Sequence, residues 1–207
     1  MLNGNDTMVA SCGSDKKICI WDLRSAAMPL SVNTESESCI MCCDWSADNK
    51  HILSGTMYGV VNSLNVQSNK MVMKKDTMEM CPELESNTIF SLKTVRNHPR
   101  KGNIFTLGME NKIAYAIDYD DKAQFETWFL EIFQKYEGHY SAIRDQTFNK
   151  DCTRFLTCCE DHSLRIWDAE TCTALGLFSG HKDFVVSLVQ CLTSLNRLVE
   201  SSLIQEL

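Results

Sequence analysis

The sequence predicts an all-β chain made from one hairpin pattern used several times. The first sign is the stretch Arg154 to Asp168, Arg-Phe-Leu-Thr-Cys-Cys-Glu-Asp-His-Ser-Leu-Arg-Ile-Trp-Asp. Phe155 to Thr157 reads as a strand, Glu160 to Ser163 as a polar turn, and Leu164 to Trp167 as the returning strand. The second sign is recurrence: Ser11, Asp15, Trp21 and Asp22 keep the offsets of Thr157, Asp161, Trp167 and Asp168. Two weaker copies lie between them. His51 to Asn65 keeps Ser54 but has Tyr58 for the turn Asp and Leu64 for Trp, and 103–118 keeps the apolar strands and the closing Asp118, with Asn111 in the turn and Ile117 for Trp. The closing positions Asp22, Asn65, Asp118 and Asp168 are 43, 53 and 50 residues apart.

The polar residues of the best copy form a set that can be buried together. An indole N–H only donates, hydroxyl and imidazole give and take, and a carboxylate only accepts, so a relay through Trp167, Thr157, His139 and Asp161 can be fully satisfied. Gly138-His139 ahead of the hairpin, Gly180-His181 behind it, and Trp167-Asp168 at its end resemble the signature of the WD-repeat family. That resemblance implies a β-propeller of four-stranded blades, about four in this chain, and makes the two longer steps loop insertions into a repeat of roughly 40–45 residues. It also assigns Ser11, Asp15 and Trp21 to the corresponding network of the first blade.

In chain order, 1–33 begins in mid-blade: Met8 to Cys12, Ile18 to Leu23 and Met28 to Val32 are the second, third and fourth strands, and the first strand with its Gly-His is not there. A polar connector, 34–38, leads into the second blade, 39–75. Its strands are Cys39 to Trp45, Ile52 to Ser54, Val60 to Leu64 and Met71 to Lys74. Asp76 to Asn87, with Pro82, reads as an exposed polar crossing. The third blade, 88–137, takes Thr88 to Val95, Ile104 to Leu107 and Ile113 to Ile117, while Phe125 to Tyr136 fits an outer strand or a short helix. The fourth, 139–179, runs through Ser141 to Phe148, Arg154 to Cys158, Leu164 to Trp167 and Ala174 to Phe178. Residues 184–190 read as one spare inner strand. Beyond them, Leu192, Leu195, Leu198, Val199, Leu203 and Leu207 fall at helical spacing, so 191–207 is expected to be a short helical tail outside the repeats.

A first blade without its inner strand and a spare strand behind His181 allow a ring in which His181 joins Ser11, Asp15 and Trp21. The resemblance implies rings of about seven blades, whose wedges do not close with four, so the expected form is an incomplete, open arc of a larger propeller. Pairing of Val185 to Val189 with Met8 to Cys12 is the arrangement that overturns this.

Composition narrows the function. The formal charge of −7 opposes a general electrostatic grip on nucleic acid, which comes from Lys and Arg neutralising phosphates. Arg96-Asn97-His98-Pro99-Arg100-Lys101 is the one basic cluster, and its turn residues make it a solvated turn. No run approaches the ~18 apolar residues of a membrane span, and no signal peptide opens the sequence, so the expected place is cytoplasm or nucleus, with no membrane partner. Eleven cysteines, an odd count, read as reduced thiols.

Chemical motifs are weak. Cys39-x-x-Cys42 has zinc-like spacing but no second pair, and neighbouring Cys42 and Cys43 on a strand point to opposite faces. Asp118, Asp120 and Asp121 suggest calcium, yet Ala123 and Phe129 stand where an EF-hand needs Gly and Glu. No metal, cofactor or catalytic residue is expected, and His139, Asp161 and Thr157 read as a structural strut rather than a hydrolase triad. What remains is binding. The resemblance places the second-to-third strand turns and the blade-entry connectors on one face: Ser14, Lys16, Met57, Tyr58, Glu110, Asn111, Tyr140, Glu160, Lys182 and Asp183 are the candidate contacts, with Tyr58 and Tyr140 as anchors. The function expected is a non-enzymatic scaffold joining proteins or peptides in a multiprotein complex. One alternative rests on the fourth blade's likeness to the Polycomb propeller subunit that binds methyl-lysine histone tails through an aromatic cage. The other is a truncated propeller product without independent function.

Overall fold

Short apolar runs cut by polar turns give strands of four to seven residues, too brief to stand alone and paired at once with their sequence neighbours. The computed structural model describes residues 3–5, 7–25, 29–33, 36–80, 91–101, 104–119 and 130–189. The first sheet holds β1 (Met8–Cys12), β2 (Lys17–Asp22) and β3 (Leu30–Asn33). The second holds β4 (Ile40–Trp45), β5 (His51–Thr56), β6 (Val60–Asn65) and β7 (Lys70–Asp76). The third holds β8 (Leu92–Asn97), β9 (Ile104–Met109), β10 (Ala114–Tyr119) and β11 (Leu130–Tyr136). The fourth holds β12 (Ile143–Phe148), β13 (Arg154–Cys159), β14 (Ser163–Asp168) and β15 (Ala174–Ser179). Every sheet runs in sequence order with antiparallel neighbours.

The four sheets repeat in backbone detail even where side chains differ. Val9 faces Trp21, Ile52 faces Leu64, Phe105 faces Ile117 and Phe155 faces Trp167 at the same register. The inner strands are bulged at one place, between Ile40 and Cys42, Leu92 and Thr94, and Ile143 and Asp145. Each second-to-third strand turn puts its residue after the Asp position at positive φ: Lys16 (65°), Gly59 (77°), Lys112 (73°) and His162 (69°). Only one of those four is a glycine, so the tight turn holds even where its residue bears the steric cost of the left-handed region.

The core sits between the sheets. Alternate residues of a strand point to opposite faces, so Ile52 packs toward the first sheet with Ile18, Ile20 and Trp45, while adjacent Leu53 packs toward the third with Leu92, Phe105 and Leu107. Cys43 and Cys42 divide the same way. Ala114, Ala116 and Tyr136 meet Ile143, Phe148, Phe155 and Trp167 between the third and fourth sheets. Small residues permit this approach. A β-carbon on Gly55 would lie 2.9 Å from Leu92, and one on Gly108 would lie 2.9 Å from Ile143.

Several boundaries differ from expectation. Residues 130–136 are a strand, resolving the ambiguity over Phe125 to Tyr136, of which 125–129 lie outside the described residues. The crossing after Asp76 begins with one helical turn, α1 (Thr77–Met80), whose Thr77 is buried. Residues 184–189 belong to no sheet. They dock on the fourth sheet instead, where Val185 N–H donates to the Cys159 carbonyl (3.2 Å), and Ser187 Oγ and Leu188 N–H donate to Asp145 Oδ2 (3.0 and 3.3 Å). The pairing with β1 that would close a ring is not formed, and Trp21 stays 43% exposed where Trp167 is 1%. Among the described residues the blades form an open arc. The expected helical tail, 191–207, lies outside the described residues. Among the described residues no helix is long and apolar enough to cross a membrane.

Candidate partner-binding rim

At the fourth sheet the relay is assembled from three segments. β13 carries Thr157, β14 carries Trp167, and the entry connector carries His139. Trp167 Nε1–H donates to Thr157 Oγ1 at 2.8 Å, and Thr157 Oγ1 is 2.7 Å from His139 Nε2. His139 Nδ1 lies 2.9 Å from Asp161 Oδ2. Because the indole can only donate, Thr157 passes its own proton to His139, whose Nδ1–H then points to the carboxylate. Burial pushes the imidazole below its ordinary pKa, which keeps it neutral as this direction requires. Burial also opposes ionisation of Asp161, but the Ser163 hydroxyl, the Tyr140 N–H and His139 outweigh it and hold the carboxyl well below the usual range.

This set offers no reactive surface. Thr157 is 0% exposed and the His139 side chain is 0% exposed, so no substrate meets the hydroxyl. Cys159 comes close enough to His139 and Asp161 for the three to resemble a metal cage. They do not fit one: both imidazole nitrogens are engaged in the relay, and burial raises the Cys159 thiol to about 11, so it does not supply a thiolate.

Elsewhere the network thins. In the first sheet Trp21 Nε1–H donates to Ser11 Oγ at 3.0 Å, but among the described residues Asp15 accepts only the Lys17 N–H of its own turn. His181 is exposed, and no hydrogen bond among the described residues joins it to Ser11, Asp15 or Trp21. The second sheet retains Ser54, whose buried hydroxyl has no protein partner, as has the amide of Asn62 across from it.

The relay fixes what stands above it. Antiparallel order brings the β1–β2, β5–β6, β9–β10 and β13–β14 turns to one end of the arc, with Tyr140 entering beside the last. The Tyr140 N–H donates to Asp161 Oδ2 at 3.0 Å, so the strut holds the Tyr140 backbone while its side chain stays free in solvent, 78% exposed. Arg165 lies 5.8 Å from its ring centroid. Met57 and Tyr58 are 49% and 53% exposed at the β5–β6 turn.

Other candidates are committed to local roles. Glu160 pairs with Arg144 and accepts from Ser141, Asn111 donates to Tyr115 Oη (2.8 Å), and Asp183 accepts the Phe184 N–H (2.8 Å). The Ser14 carbonyl accepts from the Cys39 thiol, Lys93 reaches Glu110, and Lys16 and Lys182 are exposed. Two rim residues escaped the sequence reading. Arg165 shares a strand face with Trp167 and carries no motif, while Phe184, 52% exposed and 6.0 Å from the His162 ring, falls in a run that reads as a strand.

The WD domain, G-beta repeat family model matches residues 2–22, 29–62 and 130–168. The third sheet lies mostly outside those matches yet shares their bulge and turn geometry. Similar proteins include apoptotic protease-activating factor 1 of Rattus norvegicus, 21% identical over 179 residues, covering 79% of this chain and 13% of that protein. The serine-threonine kinase receptor-associated protein of Gallus gallus is 25% identical over 185 residues, covering 80% of this chain and 53% of that protein. Pre-mRNA-processing factor 17 of Mus musculus is 30% identical over 92 residues, covering 44% of this chain and 14% of that protein. The chain thus spans about half or less of the length of these relatives. Repeated sheets with shared bulges and turns, a Trp-Thr-His-Asp relay and the matched segments lead to one conclusion: the chain carries WD repeats, folded as propeller blades.

Proposed function

We propose that this chain is an interaction scaffold, a subunit that holds other proteins together through the rim bearing Tyr140, Tyr58 and Met57. WD-repeat proteins as a class mediate protein–protein interactions in complexes. The observation that carries the proposal here is a large aromatic on display from a firmly held backbone. Tyr140 is 78% exposed while its backbone is bonded to the buried strut, so the backbone beneath the ring is ordered before a partner covers it. Tyr and Met are also types enriched at interface cores. The chicken relative is named for its association with a receptor kinase, which supports an associating role. The relay's part is to hold the rim, and its burial supports that role over chemistry.

The methyl-lysine reading gains no support. Tyr136, Phe148, Phe155 and Trp167 are packed against one another, and no second aromatic ring among the described residues stands beside Tyr140 to form a cage. The test is capture of intact complexes on the immobilised chain, with Tyr58→Ala and Tyr140→Ala. Each variant is expected to lower retention of the same partners tenfold or more with unchanged thermal unfolding. Equal retention by parent and double variant removes this rim from the interface.

A further inference from the structure

The rim leaves the opposite end of the arc unused, and there the third and fourth blades part around a cavity of about 360 Å³. Its two walls differ in sign. The third blade supplies Arg100 and Lys101 from the β8–β9 turn, together with His98. The fourth supplies Asp151 from the β12–β13 turn and Glu170 from the β14–β15 turn. Arg100, Lys101, Asp151 and Glu170 are exposed, and none joins a salt bridge among the described residues. Arg100 is steadied by an Nη2–H bond to the Lys150 carbonyl at 3.1 Å. Between the walls the floor is apolar: Ile104, Ala116 and Phe148, with Phe133 45% exposed at the side.

His98 is fixed in a way that suits an anion. Its Nδ1 accepts the backbone N–H of Arg100 (3.2 Å) and of Lys101 (3.0 Å), so the ring proton resides on Nε2 and is available as a donor. The ring packs on Phe148, 4.8 Å between centroids, which holds its plane. One wall therefore offers two cations and an oriented N–H. The facing wall offers two carboxylates.

We propose that this cleft binds an extended peptide segment of a partner protein that carries an acidic and a basic side chain two residues apart. In an extended chain residues i and i+2 share a face and are separated by about 7 Å, so two such side chains can reach opposite walls of the cleft while the backbone runs between them. An acid–x–base segment thus sets its carboxylate against Arg100, Lys101 and His98 and its cation against Asp151 and Glu170. The middle side chain points away from the floor, and the backbone lies over Phe133. A peptide with one sign of charge meets like charge on one wall. The whole chain's net charge of −7 disfavours plain anions at long range, so the pattern selects for the dipolar arrangement.

The test uses the full chain and fluorescein-labelled heptapeptides with a central Glu-Ser-Lys, Gln-Ser-Lys, Glu-Ser-Gln or Glu-Ser-Glu, read by anisotropy at low and physiological salt. Glu-Ser-Lys is expected to bind at least tenfold tighter than either singly charged peptide. Asp151→Lys with Glu170→Lys should reverse the order, favouring Glu-Ser-Glu, while thermal unfolding stays unchanged. Arg100→Glu with Lys101→Glu should abolish Glu-Ser-Lys binding. If inorganic phosphate displaces the probe fully, or Glu-Ser-Glu binds the parent as tightly as Glu-Ser-Lys, the cleft is a simple anion site and the dipolar assignment is wrong. Absence of binding by all four peptides overturns it altogether.

Discussion

Thr157 Oγ1 stands between Trp167 Nε1 and His139 Nε2, 2.8 Å from one and 2.7 Å from the other, and serves both. Thr157→Val keeps the shape and removes the oxygen, stranding a buried indole N–H and a buried imidazole nitrogen. At about 1–3 kcal/mol for each stranded group, the loss should be plain in urea unfolding. Ser54→Ala, at the equivalent place in the second blade, removes a hydroxyl with no protein partner and should cost less than about 1 kcal/mol. Equal effects of the two changes would falsify the relay as the source of stability.

Gly108 and Gly180 make a second contrast. A β-carbon on Gly108 would come within 2.5 Å of Thr94 Cγ2 and 2.9 Å of Ile143 Cγ2, at the seam between the third and fourth blades. Gly108→Ala should therefore destabilise by about 1–3 kcal/mol. Gly180→Ala meets nothing within 4 Å and should leave the melting temperature in place.

Asp44 predicts a pH dependence. Burial lifts its carboxyl from 3.8 to about 6, against the pull of Arg96 and of the Asn97 N–H that donates to Oδ2 at 2.9 Å. For an acid raised in the fold, nothing is lost below about pH 4, where folded and unfolded chains are both protonated. Between about 4 and 6 the unfolded chain ionises first, and above about 6 the loss is constant. Asp44→Asn should thus gain on the parent across that window, by about 2 kcal/mol after discounting for the water Asp44 still meets. His139, whose depressed pKa gives the opposite slope, cancels in the difference. Parallel pH profiles for parent and variant would remove Asp44 as the cause.

Much of this architecture was legible in advance because hairpins are local. Phe155 to Trp167 and Ser11 to Trp21 announce themselves by alternation, a polar turn and fixed offsets, and the relay could be named because each group's donor or acceptor role is a property of its residue type. The second and third blades were fainter, with Tyr58, Leu64, Asn111 and Ile117 replacing signature residues, yet register and bulges carry the repeat without them. What the chain order hides is contact across blades. Arg96 and Asp145 lie 49 residues apart and meet at 2.7 Å with no local pattern to join them. The same holds for the cleft, whose walls come from turns that each look like an ordinary solvated loop. Residues 184–189 read as a strand from their short apolar run, but such a run does not say whether a ladder partner exists.

Asp145 offers a last test. It takes Arg96 Nη2–H at 2.7 Å on one oxygen and both Ser187 and Leu188 on the other. Asp145→Ala should free the 184–189 segment, seen as faster amide exchange at Leu188 and earlier proteolytic cutting there. It should also cost about 1–3 kcal/mol, since Arg96 loses its carboxylate partner but keeps its bonds to the Gln146 and Val95 carbonyls. Unchanged exchange at Leu188 would show that the segment is held by something other than this carboxylate.

That single carboxylate also shapes what residues 184–189 offer to other chains. Val186 is 64% exposed and Val189 95%, on a backbone held at Val185 and Leu188 and paired in no sheet. Exposed valines on a docked segment without a ladder partner make it the place where this arc is readiest to be lengthened, by a fitting neighbour or by a misdirected one.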